Sequence, residues 1–246
     1  MLRYWLTCAL ITLMLVPIYA QDGDKTLPGE GQLDPTDPAR LSEPDVIADM
    51  LTQSETLALD VEFLLLNVDF SDEDDWEFYE DDTRSVRVDD GMYIAEVEGN
   101  SVIWGQNTDV LDDVLIGVQV THVGESEDNG YGVMCRANVE NNLEGYHFWI
   151  SDRGEVAILL YDRTEETYEY LVDWVETDAV IPGETNILQA VCVDEYLALY
   201  VNGQFIIETV DVTYETGVAG LVLRNFDNSE DARAEFDDLY VWTLDD

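Results

Sequence analysis

Basic residues are almost missing from this chain. Of 246 residues only 10 are Lys or Arg, against 55 Asp or Glu, and the formal net charge is −45. Lys25 is the only lysine, so the remaining basic side chains are all arginine. A surface of this sign repels phosphate backbones and anionic headgroups, which excludes nucleic acid and acidic membrane surfaces as partners. It leaves neutral ligands and cations, and it suits a salty exterior where counterions screen self-repulsion. Histidine is nearly as scarce. His122 and His147 stand far apart with no cysteine spacing around them, so zinc finds no ligand set. A Gly-x-Ser-x-Gly elbow, a phosphate-binding loop and a dinucleotide fingerprint are also missing. The acidity does not mean disorder, because 46% of residues are hydrophobic and 11% aromatic, enough for a packed core.

Long apolar runs are confined to the start. Arg3, an apolar stretch from Tyr4 to Val16, Pro17 and a small residue at Ala20 have the layout of a signal peptide over residues 1–20. That stretch is short and proline-ended for a membrane span, and an uncleaved anchor is the alternative. The sequence therefore predicts a secreted, extracellular or cell-envelope protein whose mature chain has no membrane span. Residues 21–246 carry nine basic side chains against 55 acidic ones, a net of −46, and two cysteines, Cys135 and Cys192. An even pair in an exported chain reads as one disulfide; two unrelated buried thiols are the alternative. Four of the six prolines, Pro28, Pro35, Pro38 and Pro44, fall in the acidic stretch after the leader, so residues 21–60 read as a linker. Within it, Ser42-Glu43-Pro44-Asp45 resembles a capping box. Val46, Ile47, Met50 and Leu51 then form the stripe of a short helix.

From residue 61 to 246 the signals are strand and turn. Tyr196–Val201 and Gln204–Glu208 flank Asn202-Gly203, a pair that supplies the positive φ a two-residue hairpin turn needs. Asp90-Gly91 separates Arg84–Val88 from Met92–Val97 in the same way. Further strands fit Val114–Thr121, Tyr131–Ala137, Gly145–Ile150, Glu155–Tyr161, Tyr168–Val175, Ile187–Val193, Val218–Arg224 and Ala234–Trp242. Many short strands without a convincing helix predict an all-β domain, a two-sheet antiparallel β-sandwich. Alternation puts Tyr131, Val133 and Cys135 on one face and Ala190 and Cys192 on another, so a bridge between strands or facing sheets is geometrically possible.

The order of motifs adds a resemblance. Asp69-Phe70-Ser71-Asp72 leads to Trp76, Asp90-Gly91-Met92-Tyr93 and a Trp104 strand. Gly132-Val133-Met134-Cys135-Arg136 and Gly145-Tyr146-His147-Phe148-Trp149 come next. The run closes with Tyr200-Val201-Asn202-Gly203, Gly217-Val218-Ala219-Gly220-Leu221 and Phe236-Asp237-Asp238-Leu239. This resembles the concanavalin A-like lectin and glucanase jelly rolls over residues 61–246, especially extracellular bacterial domains. The resemblance implies a jelly roll and a carbohydrate-related role, with a lectin, a glycoside hydrolase or an adhesion and spacer module as the possibilities. It further implies a structural calcium between chain start and final strand, near Asp69 and Asp237.

Glu73-Asp74-Asp75-Trp76-Glu77 has the Glu-x-Asp-x-Glu spacing of the laminarinase-type glucanases. It departs from that pattern because Asp74 replaces a core residue and the motif sits in an acidic turn. Chance spacing is cheap in so acidic a chain, and it reads as a solvated loop rather than a catalytic set. His147, between Tyr146 and Phe148, reads as an outward-facing strand residue. The aromatics carry the remaining signal. Trp104, Tyr146 and Trp149, with Arg136, form a candidate set on a sheet face where a sugar ring stacks and polar groups bind its hydroxyls. The expectation is thus a non-catalytic recognition domain for a neutral extracellular glycan.

Overall fold

The computed structural model describes residues 60–72, 76–140 and 143–245. The leader, most of the linker and the short helix expected near residue 46 lie outside these residues. Among the described residues there are fifteen strands and no helix. They form two antiparallel sheets.

The nine-stranded sheet runs β13 (Gln204–Val210), β12 (Tyr196–Val201), β11 (Asn186–Val193), β6 (Val114–His122), β15 (Asp231–Asp245), β4 (Met92–Glu98), β3 (Arg84–Asp89), β2 (Tyr79–Glu80). β1 (Asp60–Val68) joins it along the C-terminal half of β15. The six-stranded sheet runs β10 (Thr167–Glu176), β9 (Glu155–Asp162), β8 (Gly145–Ile150), β7 (Asn129–Ala137), β14 (Val218–Asn225), β5 (Val102–Gln106).

Alternation along the strands builds the core between the sheets. Val114, Ile116, Val118 and Val120 of β6 face Tyr131, Val133, Phe148 and Ile158 of the other sheet, all in one buried cluster. The hairpin turns are built as the sequence predicts. Asn202 and Gly203 have φ of 51° and 72°, and Asp90 and Gly91 have 54° and 77°. These left-handed values give the turn the twist of the flanking strands.

Cys135 of β7 and Cys192 of β11 form a disulfide, so the bridge ties one sheet to the other through the core. It closes a chain separation of 57 residues, and the loop-entropy account assigns such a bridge about 4 kcal/mol. Unreduced protein in denaturant is expected to show no titratable thiol. Cys135→Ser should lower unfolding free energy by about 2–5 kcal/mol in urea melts. Two free thiols per chain would contradict this.

Candidate functional site

The outer face of the six-stranded sheet is aromatic. Its central strands place Met134 (β7), His147 and Trp149 (β8), Ala157 and Leu159 (β9) and Val222 (β14) away from the inter-sheet core, and all are fully buried. Over this floor lie half-buried side chains: Val102 and Trp104 of β5, Tyr161 of β9, Tyr168 and Trp174 of β10, and Phe226 just after β14. Trp149 is the hub. Its ring sits 5.0 Å from Tyr168, 6.1 Å from Phe226 and 6.3 Å from Trp174, and Tyr161 is 4.8 Å from Tyr168. A glycine makes this possible, since a Cβ at Gly130 would lie 2.7 Å from the Trp149 ring. β10 brings two rings to the face, Tyr168 and Trp174, although it is irregular between them. Its register shifts between Tyr170 and Val172 and again before Val175, and adjacent Leu171 and Val172 both turn to the core.

One cation stands among these rings. Arg224 of β14 lies 5.2 Å over the Phe226 ring and donates to Asn100 Oδ1 at 2.6 Å. Its Nε, the Tyr168 hydroxyl, Trp149 Nε1 and His147 Nδ1 are buried without a hydrogen-bond partner among the described residues. Burial pushes the Tyr168 phenol well above its ordinary range, and the Arg224 charge only partly offsets this. The face is therefore apolar in area and under-bonded at its polar atoms, each of which costs about 1–3 kcal/mol when left unpaired.

Of the four residues expected on a ligand face, the structure brings two together. Trp104 and Trp149 share this outer face. Tyr146 does not. One position from His147 along β8, it points into the inter-sheet core, donates to Asp211 Oδ1 at 2.6 Å and accepts the Tyr214 amide at 3.0 Å. Burial and that carboxylate push its phenol up to about 12. Arg136 is a buried clamp rather than part of a sheet face. Its guanidinium donates to the carbonyls of Asp112, Asp194 and Tyr214 at 3.0, 2.6 and 3.0 Å and to Asp113 Oδ1 at 3.0 Å. Alternation gives the parity of His147 and Trp149 correctly, yet neither side chain reaches solvent. Sequence reasoning missed Tyr161, Tyr168, Trp174, Phe226 and Arg224; the cluster of Tyr and Trp along β10 was the available signal.

Solved structures share the fold. No protein-family model and no curated protein matches the chain. The carbohydrate-binding module CBM66 from Bacillus subtilis superposes with TM-score 0.50 at 15% identity, over 63% of this chain and 86% of that one. A Bacillus subtilis protein of unknown function with a galectin-like fold gives 0.52 at 13% identity, over 76% and 98%. A β-1,3-1,4-glucanase from a mouse hindgut metagenome gives 0.53 at 12% identity, over 74% and 99%. The fold is a concanavalin A-like jelly roll.

Within this jelly roll the central outer positions of β7, β8, β9 and β14 hold Gly, Met, His, Trp, Ala, Leu and Val, with no carboxylate. Of the Glu-x-Asp-x-Glu motif, Glu73, Asp74 and Asp75 lie outside the described residues. Glu77 accepts the Gln106 amide at 3.2 Å and lines, with Tyr79, Arg84, Ile103 and Trp104, a cavity of about 210 Å³ at the β5 edge. Asp69 accepts the Ser71 amide at 3.1 Å. Its charge reaches Asp237 and Asp238, whose carboxyls are pushed up first by burial and then by neighbouring acids. Among the described residues no group of three or more His, Cys, Asp or Glu side chains is placed to hold a metal ion.

His147 makes the face sensitive to acid. Burial lowers its imidazole to about 4, while Nε2 bonds the Leu143 carbonyl at 2.8 Å. The unfolded imidazole titrates near 6.5, so below that pH the unfolded chain binds the extra proton. Stability is then full above about 6.5 and lost as pH falls toward 4, by about 3 kcal/mol from this group. Urea melts of wild type and His147→Gln across that window check it. The variant should lose that share of the pH slope, and identical slopes would contradict the assignment.

Proposed function

We propose that this protein is an exported, non-catalytic recognition domain that binds neutral carbohydrate on the outer face of its six-stranded sheet. The observation that carries the reading is the set of half-buried rings on this face, Trp104, Tyr161, Trp174 and Phe226, with the Arg224 guanidinium over the Phe226 ring. Sugar rings offer C–H faces that stack on aromatics and hydroxyls that meet a few placed polar groups, and this face supplies both. The absence of carboxylates from its central strand positions favours binding over hydrolysis, which needs two carboxyls about 5–5.5 Å apart for retention. Charge narrows the ligand class, because residues 21–246, at a net of −46, repel sulfated and sialylated glycans. The neighbouring carbohydrate-binding module and glucanase support a carbohydrate role, and an inter-sheet disulfide supports an oxidising exterior.

A glycan array tests this. Saturable binding confined to neutral glycans is expected. Silence across the array would favour a spacer or adhesion module, and release of shorter sugars would favour a glycoside hydrolase.

A further inference from the structure

The aromatic face ends at β5, the last strand of the six-stranded sheet, and a recess opens beside that strand. Glu77, Tyr79, Arg84, Ile103 and Trp104 line this cavity of about 210 Å³. Trp104 belongs to the outer face, whereas Ile103 belongs to the core and closes the cavity inward. Two hydrogen bonds fix the walls to β5. Glu77 accepts the Gln106 amide at 3.2 Å, and Arg84 donates to the Val102 carbonyl at 3.4 Å. Trp104 stands between these two anchor points, so one side chain serves both the face and the recess. Arg84 is held firmly. Asp81 accepts its Nε at 2.9 Å and its Nη2 at 2.6 Å, and Nη2 also reaches the Tyr79 hydroxyl at 3.3 Å. The guanidinium lies 5.6 Å from the centre of the Tyr79 ring. With the Val102 bond, four of its five N–H groups are used, and the fifth, on Nη1, has no partner among the described residues. Alternation puts Gln106 on the same side of β5 as Trp104. It is 8% exposed, and its Oε1 accepts no hydrogen bond from the described residues.

We propose that this cavity is a subsite for one sugar residue, which it holds through a pair of neighbouring hydroxyls. The inference rests on the carbohydrate reading and adds to it a polar contact beyond the aromatic floor. Volume decides the size of the guest. The cavity is smaller than the roughly 300–1,000 Å³ that encloses a drug-sized ligand, so it takes a single ring rather than a chain. The lining decides the chemistry. Trp104 offers a ring face and Ile103 an apolar floor to sugar C–H groups. Arg84 and Glu77 bring a charged donor and a charged acceptor to the same small volume, and a hydroxyl can both donate and accept. Two adjacent hydroxyls meet both at once. One accepts from the remaining Nη1 N–H of Arg84 and the other donates to the Glu77 carboxylate, each as a charge-assisted bond. Other ligand classes fit worse. A hydrocarbon would strip water from both charged groups and return no hydrogen bond. An anion would meet Glu77 and Asp81, and a cation would meet Arg84. Binding also costs little ordering here, because Asp81 and Tyr79 already fix the guanidinium.

Nuclear magnetic resonance of isotope-labelled protein, titrated with the neutral oligosaccharide selected on the array, tests the proposal. The side-chain N–H signals of Arg84 and Trp104 should shift along one saturable curve, with the same midpoint as the Trp174 indole. Arg84→Gln should weaken that oligosaccharide at least about tenfold, the loss of a charge-assisted bond, with near-ultraviolet circular dichroism unchanged. The wild-type titration decides the matter even if the variant fails to fold. If Trp104 and Trp174 respond while Arg84 stays fixed, or if the folded variant binds as wild type does, the subsite is overturned and the aromatic face stands. If wild type binds no neutral sugar at all, both readings fall.

Discussion

Replacing Arg136 with methionine is expected to lower unfolding free energy by about 3–5 kcal/mol, the range for removing one partner of a buried ion pair. The side chain is 4% exposed and holds three loops at once. Its bonds run to Asp112 and Asp113 before β6, Asp194 after β11 and Tyr214 before β14. Methionine fills similar volume, so the loss reports polar groups rather than a cavity. Three carbonyls and the Asp113 carboxylate would lose their donor, although Asp113 keeps the Asp194 amide at 2.8 Å. Lysine at this position should recover only part of the loss, because a point ammonium does not reproduce the planar fork. The residue sits with φ of 49° where the pairing of β7 with β14 slips, and that irregularity lets the chain aim an arginine away from the sheet face. Urea denaturation at neutral pH is the measurement. A loss below about 1 kcal/mol would mean that the clamp is solvated rather than structural.

The second large effect concerns salt. Melting temperature should climb by several degrees as sodium chloride rises from low to molar concentration. Two opposing terms decide the sign. Screening weakens the existing ion pairs, Arg84 with Asp81, Arg87 and Arg233 with Glu96, and Arg153 with Asp128. Pairs this exposed are worth about 0–1 kcal/mol each. Screening also relieves repulsion among 55 acidic side chains that nine basic ones in residues 21–246 cannot neutralise. The folded state holds those charges closer than the unfolded chain does. The Debye length shrinks from about 30 Å at 0.01 M to about 3 Å at 1 M, shorter than the spacing of most surface charges. The repulsive term therefore wins. Calorimetric scans across a salt series check it, and a flat or falling melting temperature would show that the acid excess is already compensated.

Strand periodicity made most of the fold legible. The hairpin at Asn202-Gly203, the inward parity of Tyr131, Val133 and Cys135, and the strands from Val114 onward appear where alternation puts them. The disulfide was legible as a pair, but parity left neighbouring strands and facing sheets both open; only the fold shows that it joins the two sheets. The candidate ligand face was only half legible. Trp104 and Trp149 sit on it, but Tyr146, three positions from Trp149, is on the opposite side of their strand, which alternation alone already separates. Arg136 escaped because a positive φ takes it out of the alternation on which the reading depends. Tyr168 and Trp174 share parity, but register shifts in β10 turn both Leu171 and Val172 to the core between them, so which face the two rings take cannot be read from alternation. Nothing in the sequence sets Arg224 apart; only the fold places its guanidinium over the Phe226 ring.

The most direct measurement of the carbohydrate reading is isothermal titration of a neutral oligosaccharide selected on the array, with wild type, Trp104→Ala, Trp174→Ala and Tyr200→Phe. Tyr200 lies on the outer face of the other sheet and serves as the control. The account predicts that each tryptophan variant weakens affinity at least about tenfold, the loss of about 1.4 kcal/mol of stacking, while Tyr200→Phe binds as wild type does. Unchanged affinity in both tryptophan variants, or a loss confined to Tyr200→Phe, would contradict it.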